Sequence, residues 1–261
     1  MQRLMGRAIS RYGLIEHQDR IAVALSGGKD SFSLLSLLKD RLKRIPIHYE
    51  LIAIHLDMGF AGNRPDLIQE FCETLGVAYY FEKTDYGVRA HGPENKENPC
   101  FLCSWLRRKR LFELSKPLGF SKIALGHNKD DIIETLFLNM FFSGELATML
   151  PKQLLFKGEL TIIRPLALLE EKTIKAFAER QGLPEVINPC PSAQRSSRRE
   201  VKTLLKTLYA GNRKIKGNIF RALSNVRLDY LLPAGLNEKN KRARGKKRSQ
   251  EVSEVILDIF N

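Results

Sequence analysis

The feature that most constrains the fold is a repeated alternation between short apolar runs and segments with helical periodicity. Residues 21–26, IAVALS, are almost entirely apolar, and residues 30–43 then place leucines at helical spacing. Such runs are typical of strands buried on both faces of a sheet. Repeated strand–helix–strand units connect parallel strands through right-handed crossovers. The alternation therefore predicts an α/β fold built on a doubly wound, five-stranded parallel sheet.

The strand-like runs and helical segments divide the chain into three parts. Predicted strands cover residues 21–26, 49–57, 77–83, 122–127 and 160–165. Predicted helices cover residues 30–43, 64–76, 104–119, 130–142 and 169–182. We therefore expect an α/β domain over residues 1–183, with an N-terminal helix and an insertion that carries two cysteines. A helical extension over 184–235 and a basic, mobile tail over 236–261 are expected to follow.

The charge balance favours a polyanionic partner. The 261-residue chain has 43 Lys and Arg against 29 Asp and Glu, a formal net charge of +14, and its positive residues cluster at 107–110, 195–199 and 239–248. Neutralising phosphates with such clusters releases counterions and drives binding.

No apolar run approaches the roughly 20 residues of a membrane span, and the N-terminus lacks the apolar core of a signal peptide. We expect a cytoplasmic protein that does not bind membranes.

Polar residues and glycines follow the predicted strands. They are SGGKDS (26–31) after the first strand, HLD (55–57) ending the second, LGHNKDD (125–131) after the fourth and RP (164–165) after the fifth. Ligands of parallel sheets bind beyond the carboxyl ends of the strands. A glycine turn that leads into a helix N-terminus also favours an anion, although this spacing is not that of a Walker A loop. These segments therefore predict a phosphate site.

The four cysteines suggest metal binding or catalysis before structural disulfides. Cys72 falls on the apolar stripe of a predicted helix and is expected in the core. Cys100 and Cys103 are expected in a loop before a basic helix that begins at Ser104, and Cys190 lies between two prolines. Three thiolates can hold a [4Fe–4S] cluster and leave one iron open to another ligand. The spacing alone does not distinguish this cluster from a Cys₃His zinc site.

The S-G-G-x-D-S loop resembles the pyrophosphate loop (PP-loop) of the N-type ATP pyrophosphatases, whose fold is adenine nucleotide alpha hydrolase-like. Together with the cysteines, the pattern resembles the TtcA-type tRNA 2-thiocytidine synthetases over roughly residues 1–230. The matching segments are SGGKDS (26–31), HLD (55–57), PCFLCSWLRR (99–108), ALGHNKDDIIETLFLNMFFSG (124–144), IRPL (163–166) and Cys190. The joint occurrence of loop and cysteines is more specific than either motif alone.

This resemblance implies an ATP-dependent tRNA sulfurtransferase. ATP would be cleaved between its α and β phosphates, and AMP would activate the C2–O bond of a cytidine, at position 32 of the anticodon loop, for replacement by sulfur. The implied catalytic residues are Lys29, Asp30 and Asp130, with Asp30 helping to hold Mg²⁺. The implied nucleotide-binding residues are Leu25, Ser26, Gly27, Gly28, Lys29, Asp30, Ser31, Asp57, Gly126, His127, Asp131 and Arg164. The implied cluster ligands, with sulfide on the open iron, are Cys100, Cys103 and Cys190.

Several further expectations follow from the basic clusters and the resemblance. The residues expected to contact RNA are Arg107, Arg108, Lys109, Arg110, Arg195, Arg198 and Arg199. The expected partners are the tRNA anticodon loop and a sulfur donor such as a cysteine desulfurase, with a homodimer as the candidate assembly. Asp130 and Asp131 open a predicted helix, so capping is their alternative role, and His55 is expected to be a packed residue.

Two alternatives to this function remain open in the sequence. One is another PP-loop tRNA-modifying enzyme, either a 2-thiouridine synthetase or a lysidine synthetase. The latter also adenylates a tRNA cytidine and needs no cysteine trio. The other is a non-catalytic, zinc-dependent RNA-binding protein, which explains the charge and the cysteines but gives SGGKDS (26–31) no role.

Overall fold

The computed structural model describes residues 1–96, 98–186, 189–194 and 197–232. Residues 1–215 form one compact unit that contains the sheet, and a second unit begins at Lys216. The strands are β1 (Asp19–Leu25), β2 (Tyr49–Asp57), β3 (Ala78–Lys83), β4 (Lys122–Ala124), β5 (Lys152–Leu155) and β6 (Leu160–Ile163). The α-helices are α1 (Gln2–Tyr12), α2 (Lys29–Arg41), α3 (Pro65–Leu75), α4 (Tyr86–Ala90), α5 (Pro99–Ser115), α6 (Lys129–Leu138), α7 (Glu171–Arg180), α8 (Ser197–Gly211) and α9 (Lys214–Ala222).

Within the described residues, the strands form one six-stranded sheet in the order β3-β2-β1-β4-β6-β5. Five strands are parallel, and β5 pairs antiparallel with β6. The predicted α/β fold with five parallel strands is confirmed. The edge strand β5 was not predicted, because its sequence KQLL is short, half-polar and half-exposed. It is held by its pairing with β6, which single-sequence periodicity does not report.

The central strand β1 is apolar on both faces because both faces are covered. Ile21, Val23 and Leu25 belong to a buried cluster that includes residues of α1, α2, α3 and α7. Ala22 points to the opposite face, in a cluster that includes Leu111 and Leu114 of α5. Side chains of a strand alternate between faces, so this division accounts for the continuous apolar run that predicted the strand.

The strand order places a crevice between β1 and β4. The chain leaves β1 towards β2 on one side of the sheet, whereas β4 and β6 lie on the other side of β1. Such a reversal of strand order opens a crevice at the carboxyl ends of the two strands, where open α/β sheets bind their ligands. The loop after β1 (26–28) and the loop after β4 (125–128) both border this crevice.

Helix α5 begins earlier than the sequence suggested. It starts at Pro99, and the Asn98 side chain caps it by accepting hydrogen bonds from the backbone N–H groups of Cys100 and Phe101. Asparagine at the N-cap followed by proline is a strong helix start. The prediction that the helix begins at Ser104, with both cysteines in a loop, is therefore wrong. Cys100 and Cys103 lie in the first turns of α5.

Helix α6 begins directly after the loop at 125–128, which borders the crevice. Helix α6 continues as a π-helical turn over Asn139–Ser143, which covers the rest of the predicted helix. Helix α8 packs against α6 and buries Val201 and Leu205.

Among the described residues, no helix is long and apolar enough to cross a membrane. Arg195 and the predicted tail at 236–261 lie outside the described residues.

Candidate active site

The loop that joins β1 to α2 is held by its own polar groups. The Ser31 hydroxyl donates to the Gly28 carbonyl at 2.8 Å and accepts from the Ser26 N–H at 3.2 Å. Gly27 has a φ of +81°, and a Cβ there would lie 2.9 Å from the Cβ of Val186. A side chain at this position would therefore meet both strain and a clash. Gly28 is the N-cap of α2, so the free N–H groups of the helix begin at this loop.

The first turn of α2 contains a buried carboxylate oxygen that lacks a partner. Within the described part of the chain, Oδ1 of Asp30 is buried without a hydrogen-bond partner. Burial raises the pKa of Asp30 to about 6, and the positive charge of Lys29 opposes that rise. An unpaired buried carboxylate oxygen is costly unless a ligand satisfies it. A hard cation such as Mg²⁺ fits this donor.

A chain of ion pairs connects α2, α6, α7 and α8 beside the loop. Glu171 Oε2 lies 2.7 Å from Lys202 Nζ, and Glu171 Oε1 lies 3.5 Å from Lys29 Nζ. Glu134, whose side chain is 6% exposed, lies 3.3 Å from Arg198 Nη1 and 3.9 Å from Lys202 Nζ. The carboxylate of Glu171 is thus shared by a predicted site residue, Lys29, and by Lys202. Glu171, Lys202 and Glu134 are not predictable as site residues from local sequence, because these pairs join separate helices.

The two carboxylates that open α6 have structural partners. Asp131 and Asn128 form a capping box, in which the Asp131 carboxylate accepts from the Asn128 N–H at 2.9 Å and the Asn128 side chain accepts from the Asp131 N–H. Arg198 Nη1 also lies 3.4 Å from Asp131 Oδ1. The Asp130 carboxylate accepts from the Glu171 N–H at 2.8 Å and so connects α6 to the start of α7. Capping of α6 accounts for the contacts between Asp131 and Asn128, and Asp130 satisfies a free N–H group at the start of α7.

The loop after β4 places His127 and Arg164 side by side. Arg164 Nε donates to His127 Nδ1 at 3.3 Å, and its Nη1 donates to the Leu150 carbonyl at 2.6 Å. Loss of hydration and nearby guanidinium groups lower the pKa of His127 to about 3, so its imidazole is neutral at physiological pH. Gly126 packs on α2, because a Cβ there would lie 3.1 Å from the backbone nitrogen of Ser31.

The end of β2 is fixed by backbone contacts. The Asp57 carboxylate accepts from the Gly59 N–H at 2.8 Å, and its backbone carbonyl accepts from the Thr84 hydroxyl at 2.6 Å. His55 is buried, and its Nδ1 lies 2.9 Å from the carbonyl of Leu25, the last residue of β1. His55 is therefore the packed residue that the sequence predicted.

Two of the three predicted cluster ligands lie in the first turns of α5, and Cys103 interacts electrostatically with both of the others. Cys100 is exposed, whereas Cys103 and Cys190 are half-buried, and none of them is in a disulfide. Burial raises the pKa of Cys103, Arg107 lowers it, and negative charge on Cys190 and Cys100 raises it further. These electrostatic effects link Cys103 to each of the other two cysteines. Across the described ranges, no group of three His, Cys, Asp or Glu side chains meets the spacing of a single-ion site.

Arg107 connects the cysteine side with the nucleotide side. It is half-buried, and its charge lowers the pKa of Cys103, of His55 and of His127. The same guanidinium therefore acts on a predicted cluster ligand and on the loop after β4. Arg108 is exposed at the surface and lowers the pKa of Arg164 by repulsion between positive charges.

The rest of the basic run on α5 is engaged in ion pairs. Arg110 lies 2.6 Å from Glu82 Oε1 and 3.1 Å from Glu113 Oε2. These carboxylates raise the pKa of Arg110, and the pair with Glu82 fastens α5 to β3. Lys109 lies 3.9 Å from Glu113 and stands over the Trp105 ring. The run therefore divides into Arg107 and Arg108, which act on the site, and two cations that already have carboxylate partners.

A family model described as the PP-loop domain matches residues 2–207. This span covers the sheet, the glycine loop and α8 almost to its end. The fold and the site thus define the chain as a PP-loop protein, in agreement with the predicted adenine nucleotide alpha hydrolase-like architecture.

Curated relatives narrow this class. The protein of Citrifermentans bemidjiense named tRNA-cytidine(32) 2-sulfurtransferase is 41% identical over 238 residues, which cover 90% of this chain and 93% of the relative. The protein of the same name from Geobacter sulfurreducens is 42% identical over 231 residues, 87% of this chain and 90% of the relative. The chain belongs to the PP-loop family and, within it, to the group of these 2-sulfurtransferases. The predicted resemblance to TtcA-type enzymes is confirmed.

A solved structure agrees with this placement. The U34-tRNA thiolase NcsA from Methanococcus maripaludis, described with its [4Fe–4S] cluster, has a TM-score of 0.71 and 26% sequence identity to this chain. The match covers 88% of this chain and 79% of NcsA. NcsA, which is named for a different tRNA position from the curated relatives, therefore shares the architecture found here.

Proposed function

We propose that the chain is an ATP-dependent tRNA sulfurtransferase, which replaces the C2 oxygen of cytidine 32 with sulfur. One observation carries the proposal: the PP-loop crevice and three free cysteines belong to one compact unit, and the charge of Arg107 acts both on Cys103 and on His127 of the loop after β4. That juxtaposition suits an enzyme that activates a base with ATP and then delivers sulfur to it. The names of the relatives support the tRNA substrate and the position.

The nucleotide side would bind ATP through backbone and charge. The glycine loop and the start of α2 offer N–H groups and a helix dipole to phosphates. Lys29 would leave Glu171 for the phosphates, and Arg164 would offset further negative charge. Asp30 would help to hold Mg²⁺, since its Oδ1 is the unpaired buried oxygen of this loop. The remaining predicted nucleotide contacts are Leu25, Ser26, Gly27, Gly28, Ser31, Asp57, Gly126, His127 and Asp131.

Adenylation changes the leaving group on the base. The O2 atom of the cytidine attacks the α-phosphorus, a P–O bond forms, and the bond to the β-phosphate oxygen breaks with release of pyrophosphate. Sulfur at the sulfide level then attacks C2 and forms the C–S bond, and the C–O bond breaks as AMP leaves with that oxygen. Positioning and charge stabilisation contribute most to phosphoryl-type transfers of this kind. The neutral His127 and the cation Arg164 would face the developing negative charge. A direct catalytic part for Asp130 stays a prediction beside its capping role.

The donor set of the cysteine side fits an iron–sulfur cluster. Cys100, Cys103 and Cys190 supply soft ligands, and they leave one iron without a protein thiolate. When bound, the [4Fe–4S] cluster supplies the sulfur that replaces the oxygen. The N-terminus of α5 lies at Cys100, and a helix N-terminus favours the negative charge of thiolates. NcsA, which carries such a cluster by description, supports this assignment.

The tRNA would approach across α5 and α8. A base in a loop leaves its stack at lower cost than a base in a duplex. Arg107, Arg108 and Arg198 all lower the pKa of His127, and Arg198 and Arg199 lie at the start of α8. RNA binding by Lys109, Arg110 and Arg195 stays a prediction. The sulfur donor, such as a cysteine desulfurase, a homodimeric assembly and a cytoplasmic location also belong to the proposal.

The test is mass spectrometry of tRNA nucleosides from a deletion strain. We expect 2-thiocytidine to disappear and to return with the wild-type gene but not with a Cys103→Ala gene. Unchanged 2-thiocytidine would exclude the assigned nucleoside. Loss of a 2-thiouridine or of lysidine would instead identify one of the alternative PP-loop activities. Purification without oxygen adds a second measurement: iron and sulfide support the cluster, and stoichiometric zinc in a colourless protein excludes it.

A further inference from the structure

The His91 side chain connects the end of α4 with the segment that carries Cys190. Its Nδ1 is 2.8 Å from the Gly87 carbonyl, and its Nε2 is 2.7 Å from the Ser192 hydroxyl. The same Nε2 lies 3.8 Å from Cys190 Sγ. His91 and Ser192 are 101 residues apart in sequence, so the imidazole joins two distant parts of the chain at one predicted cluster ligand.

These contacts define how the imidazole is used. A carbonyl oxygen can only accept, so Nδ1 of the neutral ring must carry the hydrogen that points to Gly87. Nε2 then has the lone pair, and the Ser192 hydroxyl donates to it. In the protein without a cluster, the Cys190 thiol can donate weakly to the same atom. The contact with Gly87 therefore fixes the tautomer of His91, and the contact with Ser192 holds the segment that carries Cys190.

The ring itself is held by close packing. His91 follows the last residue of α4, and its ring meets the Phe60 ring edge-on, with 5.5 Å between centroids. Gly87 leaves room for this arrangement, because a Cβ there would lie 2.7 Å from the Met58 carbonyl and would also clash with the Phe60 ring. The Gly87 N–H donates to that Met58 carbonyl at 2.8 Å. Met58 in turn contacts Cys103, with 3.8 Å between the two sulfur atoms.

We propose that His91 is a positioning residue for the iron–sulfur site, which fixes the segment Pro189–Ser192 and thereby presents Cys190 to the partners Cys100 and Cys103. The inference rests on the proposed function, because it assumes a cluster on these three thiols. Residues that orient metal ligands typically change metal affinity by about 10- to 100-fold when they are replaced. His91 does not touch the reacting atoms and acts through Cys190 alone.

The test measures cluster retention. The full chain and its variants are reconstituted with ferrous iron and sulfide without oxygen, then challenged with an iron chelator while the visible absorbance is followed. We expect His91→Phe, which keeps a ring against Phe60 but loses both hydrogen bonds, to lose the cluster about 10-fold faster than wild type. His91→Gln places an acceptor near the Nε2 position and should retain the cluster better than His91→Asn. Ser192→Ala should reproduce the defect, and the double variant should be no worse than His91→Phe.

Several readouts separate positioning from general stability. The unfolding temperature of the cluster-free protein and the affinity for ATP should stay close to wild type in His91→Phe. Equal cluster lifetimes in wild type and His91→Phe would overturn the inference while leaving the proposed function intact. A wild-type chain that takes up no iron and sulfide would overturn both. If His91→Phe does not fold, the order of His91→Gln and His91→Asn decides, and equal lifetimes in that pair contradict the inference.

Discussion

The nucleotide side and the cysteine side of the site are built differently. Beside the glycine loop, charged residues satisfy one another across three helices, as in the shared carboxylate of Glu171 between Lys29 and Lys202. At the cysteine side, Cys100 is exposed, and Cys103 and Cys190 make contacts of 3.8 Å with Met58 and His91.

This difference indicates which half is organised before its ligand arrives. Fixed charges and dipoles in a partly buried site lower the reorganisation that a reaction requires. Metal binding, in contrast, commonly orders the ligands that hold it. We therefore infer that the nucleotide side is formed in advance, with Asp30 Oδ1 kept for a cation, whereas the cysteine side takes its final geometry from the cluster.

The largest expected effect comes from removing a predicted cluster ligand, which should impair the cysteine side and leave the nucleotide side intact. Cys103→Ala should abolish thiolation of tRNA and cluster binding, because a cluster ligand is lost. Binding of ATP should stay at the wild-type level, since the glycine loop does not depend on Cys103. The measurements are 2-thiocytidine formation, iron content and ATP affinity on the same preparation.

Cys72→Ala is the matched control. Cys72 is fully buried in the core among apolar residues, so its replacement should lower the unfolding temperature and leave iron content unchanged. Full thiolation by Cys103→Ala, or loss of ATP binding with it, would contradict the division between the two sides.

Local sequence predicted the elements that depend on neighbouring residues. The apolar run of β1 and the turn at Gly27 and Gly28 were sufficient for the strand, the loop and the helix that follows. The predicted start of α5 at Ser104 is wrong, because Asn98 followed by Pro99 is the stronger signal for a helix start.

Residues that act through distant partners were not predictable from one sequence. Lys202 meets Glu171 across 31 residues, Lys29 meets Glu171 across 142, and His91 meets Ser192 across 101. Each of these side chains is an ordinary polar residue in its own segment. Their roles arise from tertiary packing, which hydrophobic periodicity does not report.

The second prediction concerns the pH dependence of the nucleotide side. Asp30 must be ionised to bind Mg²⁺, and its pKa is raised to about 6. Affinity for Mg·ATP should therefore fall about tenfold for each pH unit below that pKa. Asp30→Asn should bind Mg·ATP weakly and lose this pH dependence. Titration calorimetry of both proteins between pH 5 and 8 (about the range in which proteins are most stable) measures the difference.

The same carboxyl predicts an effect on stability in the absence of metal. Its pKa in the folded protein lies above 3.8, the ordinary value of an aspartate, so its protonated form stabilises the fold at low pH, and this contribution is lost as pH rises through about 6. Without Mg²⁺, Asp30→Asn should be more stable than wild type at alkaline pH, by at most about 3 kcal/mol. The gap should close as the pH falls. A variant that is less stable than wild type at alkaline pH would contradict the buried, unpaired state of Asp30.

A smaller effect tests whether the nucleotide side is organised by its ion pairs. Lys202→Met leaves Lys29, at 3.5 Å, as the cation paired with Glu171 among the described residues, so Lys29 should leave the carboxylate less readily. We expect the KM for ATP to rise about fivefold, which corresponds to roughly 1 kcal/mol. Adding Glu171→Gln should restore much of the KM, because the competing charge is gone.

Lys172→Met serves as the control for the removal of a lysine near α7. Its side chain is 79% exposed and lies 3.3 Å from Glu170, so the KM for ATP should not change. Steady-state kinetics over a range of ATP concentrations measure all four proteins. An equal KM in wild type and Lys202→Met would show that Lys202 supports the fold rather than the position of Lys29.

The smallest effect concerns the basic run, where the same comparison applies within one helix. Arg108 is exposed, whereas Arg110 is paired with Glu82 and Glu113. If Arg108 contacts a tRNA phosphate, Arg108→Gln should reduce the slope of log affinity against log salt by about 1. Arg110→Gln should leave the slope unchanged and lower the unfolding temperature, because it removes the partner of two carboxylates. A reduced slope in Arg110→Gln would mean that the tRNA displaces those carboxylates. Helix α5 would then not belong to the part of the site that is organised before its ligand binds.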